Sequence, residues 1–255
     1  MKRIWISNAV IVNEGKKFQG SVVIEGETIS EVLTGSQRPS KECEEEIDAQ
    51  GAYLIPGVID DHVHFRDPGL THKADMSSET MAAAAGGVTS FMDMPNCNPQ
   101  TTTLEALENK FEDAAKKCMV NYSFYFGATN NNASLLAQLD RKKVCGVKLF
   151  MGASTGNMLV DRMETLRKIF SEAGMLIATH CEDQHIIRQN TELFKEKYGE
   201  DPDITCHPLI RSREACLSSS RLAVQLAKET GARLHILHIS TADELDLLED
   251  KPLNE

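Results

Sequence analysis

Residues 175–180 read MLIATH and residues 233–238 read RLHILH, two short apolar runs that each close on a histidine. Runs this short and this continuously apolar suit strands covered on both faces, as in a parallel sheet flanked by helices. The same texture recurs upstream in LIPGVID (54–60), GVTSFMDM (87–94), VNYSFYFG (120–127) and CGVKLF (145–150). Helical spacing marks the segments 72–85, 102–118, 132–140, 161–173, 183–197, 213–230 and 241–249. Thr102 or Thr103 can cap the second of these, and Gly231 follows the helix that ends at Thr230. Strands alternating with helices predict repeated βα units, an α/β fold.

Counting from residue 54 gives about six βα units, whereas a closed (β/α)8 TIM-like barrel has eight strands and takes about 250 residues. The first fifty or so residues have another character. RIWISNAVIV (3–12) and GSVVIEGETISEVL (20–33), separated by the turn NEGKK, alternate β-branched and polar residues as small antiparallel strands do. The expected organisation is therefore the N-terminal part of a small β-sandwich domain at 1–52 and the first part of a barrel at 53–255, both incomplete.

Lys and Arg number 27 against 38 Asp and Glu, a formal charge of −11, and no basic cluster rises out of that background. Nucleic acid and anionic membranes are thereby disfavoured as partners. KECEEEID (41–48) reads as a solvated surface loop. Seven scattered cysteines without a CxxC pair point to reduced thiols and a cytoplasmic protein. The opening MKRIWISNAVIV is interrupted by Ser7 and Asn8 and has no small-residue cleavage site, so it is not read as a signal peptide.

Chemistry concentrates at strand ends. In VIDDHVHFRDPG (58–69), His62 and His64 stand two residues apart and so share one face of a strand. Barrel enzymes work at the C-terminal ends of their strands, which is where these two, His180 and His238 all fall. A single buried histidine is ordinarily a hydrogen-bonded core residue. Four at one end of three strands would each need a partner, and a metal satisfies them together. Lys148, inside CGVKLF, is costly to bury charged, so its pKa should fall. A neutral amine there can take up carbon dioxide as a carbamate, and a lysine snorkelling to the strand end fits the residues equally well.

HxHFRDPG (62–69), AAAAGGVTSFMDMPNCNP (82–99), GVKLFMGASTG (146–156), ATHCED (178–183) and LHILHIST (234–241) together resemble the cyclic amidohydrolases, most closely their dihydroorotase branch. The resemblance implies two divalent metals, zinc being expected: the first held by His62 and His64, the second by His180 and His238, with carboxylated Lys148 bridging them. It implies Asp60 as a supporting carboxylate, and Arg66, Asn96 and His64 as contacts to dihydroorotate or N-carbamoyl-L-aspartate. Arg66 marks the branch, because dihydropyrimidinases and allantoinases generally lack an arginine two residues after HxH. The general-base aspartate of the family lies at the end of an eighth strand, so it is expected beyond Glu255 and no catalytic acid or base is assigned within the chain. A homodimer is implied at family level, and a polypeptide ending here is expected to be inactive and to aggregate through open sheet edges.

The alternatives are a hydantoinase, dihydropyrimidinase or allantoinase, and a non-catalytic relative. His72, His185, His207 and His235 are read as surface or structural, with His235 on the face of its strand opposite His238. Gly86-Gly87 has no phosphate-loop context. GASTG (152–156) is read as a flexible loop, Cys181 as structural, and Asp243, Asp246 and Asp250 as a solvated helix.

Overall fold

The computed structural model describes residues 1–152 and 156–248. Residues 153–155 of the GASTG loop, position 249 of the expected last helix, and Asp250 lie outside the described residues. The chain divides into two compact units, Met1–Val58 and Ile59–Glu255.

The first unit is one five-stranded sheet. Strands β1 (Arg3–Asn13), β2 (Lys16–Glu25) and β3 (Thr28–Thr34) form the expected antiparallel meander. Two further strands, β4 (Glu45–Asp48) and β5 (Tyr53–Leu54), run parallel to β1. Ala9, Ile11 and Val22 form its buried cluster, with Phe18, Ile24 and Leu54 against it. The acidic stretch 41–48 is therefore not simply a loop: Ile4 through Ser7 pair in register with Glu45 through Asp48. Composition correctly signals exposure, since all four β4 side chains face solvent. Strand geometry there comes from backbone pairing, reinforced by a Glu44 carboxylate accepting from the Arg3 N–H at 2.5 Å.

Among the described residues of the second unit six strands follow one another across a sheet: β6 (Val58–Val63), β7 (Val88–Asp93), β8 (Asn121–Gly127), β9 (Gly146–Phe150), β10 (Ile177–His180) and β11 (Leu234–Ile236). Pairing is parallel from β7 through β11. The connecting helices are α1 (Met76–Ala85), α2 (Leu104–Lys117), α3 (Met163–Glu172), α4 (Gln184–Tyr198), α5 (His207–Ile210) and α6 (Arg213–Thr230). Their ends obey capping chemistry. Asp75 caps α1 in a reciprocal box with Ser78, so that helix begins at 76 rather than 72. Thr103 caps α2, and Gly231 closes α6 in the left-handed conformation at φ 72°. The helices expected at 132–140 and 241–249 are each a short 3-10 segment, Ala133–Gln138 and Ala242–Leu247.

Alternation along the strands sorts side chains between two cores. Phe91, Phe124, Phe126, Val147, Leu149 and Ile177 pack with Leu166, Ile169 and Phe170 of α3 and Ala223 and Leu226 of α6. The opposite side gathers Met94, Tyr125, Ala178 and Leu237. Gly127, Lys148, Ala178 and His235 are register partners across four strands and therefore share that inner side. In a flat sheet the edge strands β6 and β11 would stand about 24 Å apart. Yet the His62 and His238 rings are 5.5 Å apart, and Asp61 Oδ2 lies 3.6 Å from His235 Nδ1. The sheet is curled, as the barrel reading requires.

Candidate metal centre

The curl brings the predicted residues to one place. His62 and His64, at the end of β6, face each other through their Nε2 atoms at 3.3 Å. His180 ends β10, and its Nδ1 is 3.1 Å from Nε2 of His238, just past β11. His180 and His238 ring centroids are 4.9 Å apart. Lys148 on β9 is fully buried on the inner side, its Nζ 4.6 Å from the Phe150 ring centroid. Arg66, Asn96 and His64 are also contiguous: His64 Nδ1 lies 2.7 Å from Asn96 Oδ1, and Arg66 Nη1 donates to the Asn96 carbonyl at 3.1 Å. Asp60 accepts the backbone N–H of His62 at 3.1 Å, so its contact is with the main chain rather than the imidazole.

The turn after β6 is held firmly. Arg66 adopts φ 64°, a left-handed conformation that costs an ordinary residue of order 1–3 kcal/mol and persists only where its surroundings impose it. Asp93, at the end of β7, accepts the Phe65 N–H at 2.9 Å and pairs with Lys110 of α2 at 2.6 Å, both side chains being buried. Asp67 accepts from the Met76 N–H and pairs with Lys117 at 2.9 Å. Gly69 has φ 83°, and a Cβ there would lie 1.8 Å from the Asn98 carbonyl oxygen, so the HFRDPG turn and the PNCNP loop are locked face to face.

His238 breaks the alternation expected of β11. Three residues apart, His235 and His238 should face opposite sides, but the strand ends at Ile236 and His238 has φ 40°, which turns it inward. His235 also faces inward, toward Asp61, and is not on the outer face. The loop that carries His238 is pinned by buried Glu244, which accepts from Ser220 Oγ at 2.5 Å and from the Ser240 and Thr241 N–H groups.

Electrostatics favour neutral donors. Burial, followed by the charges of Lys148 and His64, pushes the His62 pKa down to about 4. Burial likewise lowers His64 and His238. Lys148 is brought down to about 7 by burial, within reach of a free amine near neutrality. Glu182 was not singled out in the sequence, although it stands two residues after His180. Burial works to raise its pKa, but hydrogen bonds from His180 and Arg211 outweigh that and bring it down to about 2.

The donor set fits metal ions arranged as two. Imidazole nitrogens about 2.0–2.1 Å from a tetrahedral zinc would stand about 3.3 Å from one another. The two pairs lie at 3.3 and 3.1 Å. Among the described residues no three His, Cys, Asp or Glu side chains close round one point. Lys148 is buried on the same inner side, and as a carbamate it would offer two oxygens able to serve both pairs.

A family profile described as dihydro-orotase-like matches residues 51–244. The chain belongs to the dihydro-orotase-like family. Its relatives within the cyclic amidohydrolases carry more than one name. An allantoinase of Deinococcus radiodurans is 31% identical over 92% of this chain and 53% of its own length. A dihydroorotase of Methanosphaera stadtmanae is 30% identical over 90% of this chain and 52% of its own. L-hydantoinase from Arthrobacter aurescens superimposes with a TM-score of 0.89 at 26% identity, over 97% of this chain and 55% of that one. This cyclic amidohydrolase chain thus spans about half the length of the relatives it matches. Among the described residues no helix is long and apolar enough to cross a membrane.

Proposed function

We propose that the protein is a dihydroorotase, opening and closing the cyclic amide of dihydroorotate, with N-carbamoyl-L-aspartate as the ring-opened partner, in pyrimidine synthesis. The observation that carries this reading is Arg66, joined through Asn96 to His64 of the first histidine pair. Dihydroorotate bears a carboxylate, whereas allantoin and hydantoin rings do not. A planar guanidinium beside the metal-binding histidines is suited to grip that group with paired charge-assisted hydrogen bonds. The left-handed backbone at Arg66 supports the assignment, since strain of this kind gathers where a side chain must be aimed.

His62 and His64 would hold one divalent ion, His180 and His238 the other, and carboxylated Lys148 would join them; zinc is the proposed metal. Metals held there would polarise a ring carbonyl and lower the pKa of a water molecule that attacks it. The chain's own residues would present imidazole nitrogens to the metals, orient the ring through Arg66 and Asn96, and keep the Lys148 amine out of water. No proton-transfer role is assigned to a residue of this chain. A cytoplasmic homodimer completes the proposal.

The second reading, an allantoinase, draws on relatives of that name at 31% and 35% identity. A substrate panel on the full-length gene product decides between them. Cyclisation of N-carbamoyl-L-aspartate should exceed hydrolysis of allantoin, hydantoin and dihydrouracil in kcat/KM; allantoin as the best substrate would replace the dihydroorotase reading.

A further inference from the structure

The side of His180 that faces away from His238 is occupied by a carboxylate. Glu182 Oε2 lies 2.7 Å from His180 Nε2. Arg211, between α5 and α6, grips the same carboxylate as a fork: Nε donates to Oε1 at 2.7 Å and Nη2 donates to Oε2. Glu182 is only 6% exposed, so its charge is matched by the guanidinium rather than by water. An ionised carboxylate only accepts hydrogen bonds. Nε2 of His180 is therefore the donor to Glu182, and Nδ1 is the nitrogen turned toward His238.

We infer that Glu182, clamped by Arg211, is a positioning residue that fixes the tautomer and orientation of His180 for the second metal. The inference rests on the reading that His180 and His238 hold a metal. His64 is oriented by the neutral Asn96 amide instead. A salt bridge serving only to tie the end of β10 to the α5–α6 segment would leave metal binding untouched, so metal binding is the quantity to measure.

The test uses the full-length protein, stripped by chelator and titrated with Co2+ alone, following the visible d–d spectrum and competition against a chelating dye. Glu182→Gln should weaken one equivalent of Co2+ by roughly 10–100-fold and shift its spectrum, leaving the other equivalent unchanged. Arg211→Gln leaves the carboxylate but loosens it, and should weaken the same equivalent by a smaller factor. Arg211 is partly exposed, so this variant carries the test if Glu182→Gln does not fold. Urea unfolding of the apo proteins separates lost stability from lost affinity. Two equivalents bound by the folded variants with wild-type affinity and spectrum would overturn the inference alone. A wild-type protein that takes up no metal would overturn the site reading and this inference with it.

Discussion

The two histidine pairs meet at one end of the same curled sheet but are built in different ways. His62 lies in β6 and His64 just past its last residue, Val63, so a separation of two residues around one strand end brings both rings together. His180 and His238 are 58 residues apart and come from neighbouring strands. One of them sits past the end of its strand in a left-handed conformation, on a loop tied down by a buried glutamate. The first pair is a property of a dipeptide repeat and the second a property of the tertiary fold. Damage to the fold should therefore reach the second pair first, and only a residue common to both should silence the two together.

Under the proposed function Lys148 is that common residue, and its replacement should have the largest effect. Lys148→Met keeps an unbranched chain in the same buried space and removes the nitrogen. Activity should fall on the order of 10³-fold, about 4 kcal/mol of transition-state stabilisation, because both metals lose a ligand. Metal analysis should show both equivalents weakened. Loss of one equivalent with the other intact would break the bridging assignment and leave the pairs independent.

Lys110 asks how local the first pair is. Asp93 holds the Phe65 N–H, directly after His64, and is paired with this buried lysine. Lys110→Ala leaves a carboxylate buried beside Phe65 without its partner, at a cost of about 3 kcal/mol in urea unfolding. Adding Asp93→Asn to Lys110→Met should lose less, since the amide oxygen can still accept from Phe65 without carrying a charge. Equal losses in the two would show that the ion pair, rather than the anchoring of Phe65, is what matters.

Arg66→Ala separates recognition from metal binding at the first pair. Loss of a charge-assisted contact to the substrate carboxylate is worth about 2 kcal/mol, or roughly 30-fold in kcat/KM for N-carbamoyl-L-aspartate. Metal content should be unchanged. An unaltered kcat/KM would remove the argument for a carboxylated ring and favour the allantoinase reading.

How much of this was legible follows the same division. MLIATH and RLHILH mark covered parallel strands; His180, His238 and Lys148 are legible because each stands at the end of, or within, an apolar run, and His62 and His64 by their spacing of two. Helix limits were legible where a single side chain sets them, as with Thr103 and Gly231. The acidic β4 was not, because what makes it a strand is the backbone of β1 forty residues away. His235 was misplaced because strict alternation assumes the strand continues, whereas β11 stops at Ile236. Glu182 with Arg211, and Asp93 with Lys110, were missed for a related reason. Each is a charge pair made across elements, 29 and 17 residues apart, with no spacing rule to announce it.

Glu244 sharpens the comparison with the smallest effect. Burial would raise its carboxyl, but hydrogen bonds from Ser220, Thr241 and the Ser240 and Thr241 backbone outweigh that and hold its pKa below the ordinary carboxylate range. Because the folded value is the lower one, the stability it contributes is present above the unfolded pKa of about 4.3 and is lost as pH falls through the folded value. Glu244→Gln should therefore cost about 1 kcal/mol at pH 7, and the gap to wild type should narrow below pH 4. The loop from Ser240 to Thr241 would loosen with it, and Ser240 Oγ donates to the His238 carbonyl at 2.8 Å. Co2+ affinity at the second pair should drop several-fold while the first pair keeps its own. If both equivalents weaken together, the pairs are coupled more tightly than their separate construction implies, and the division between a local and a tertiary site falls.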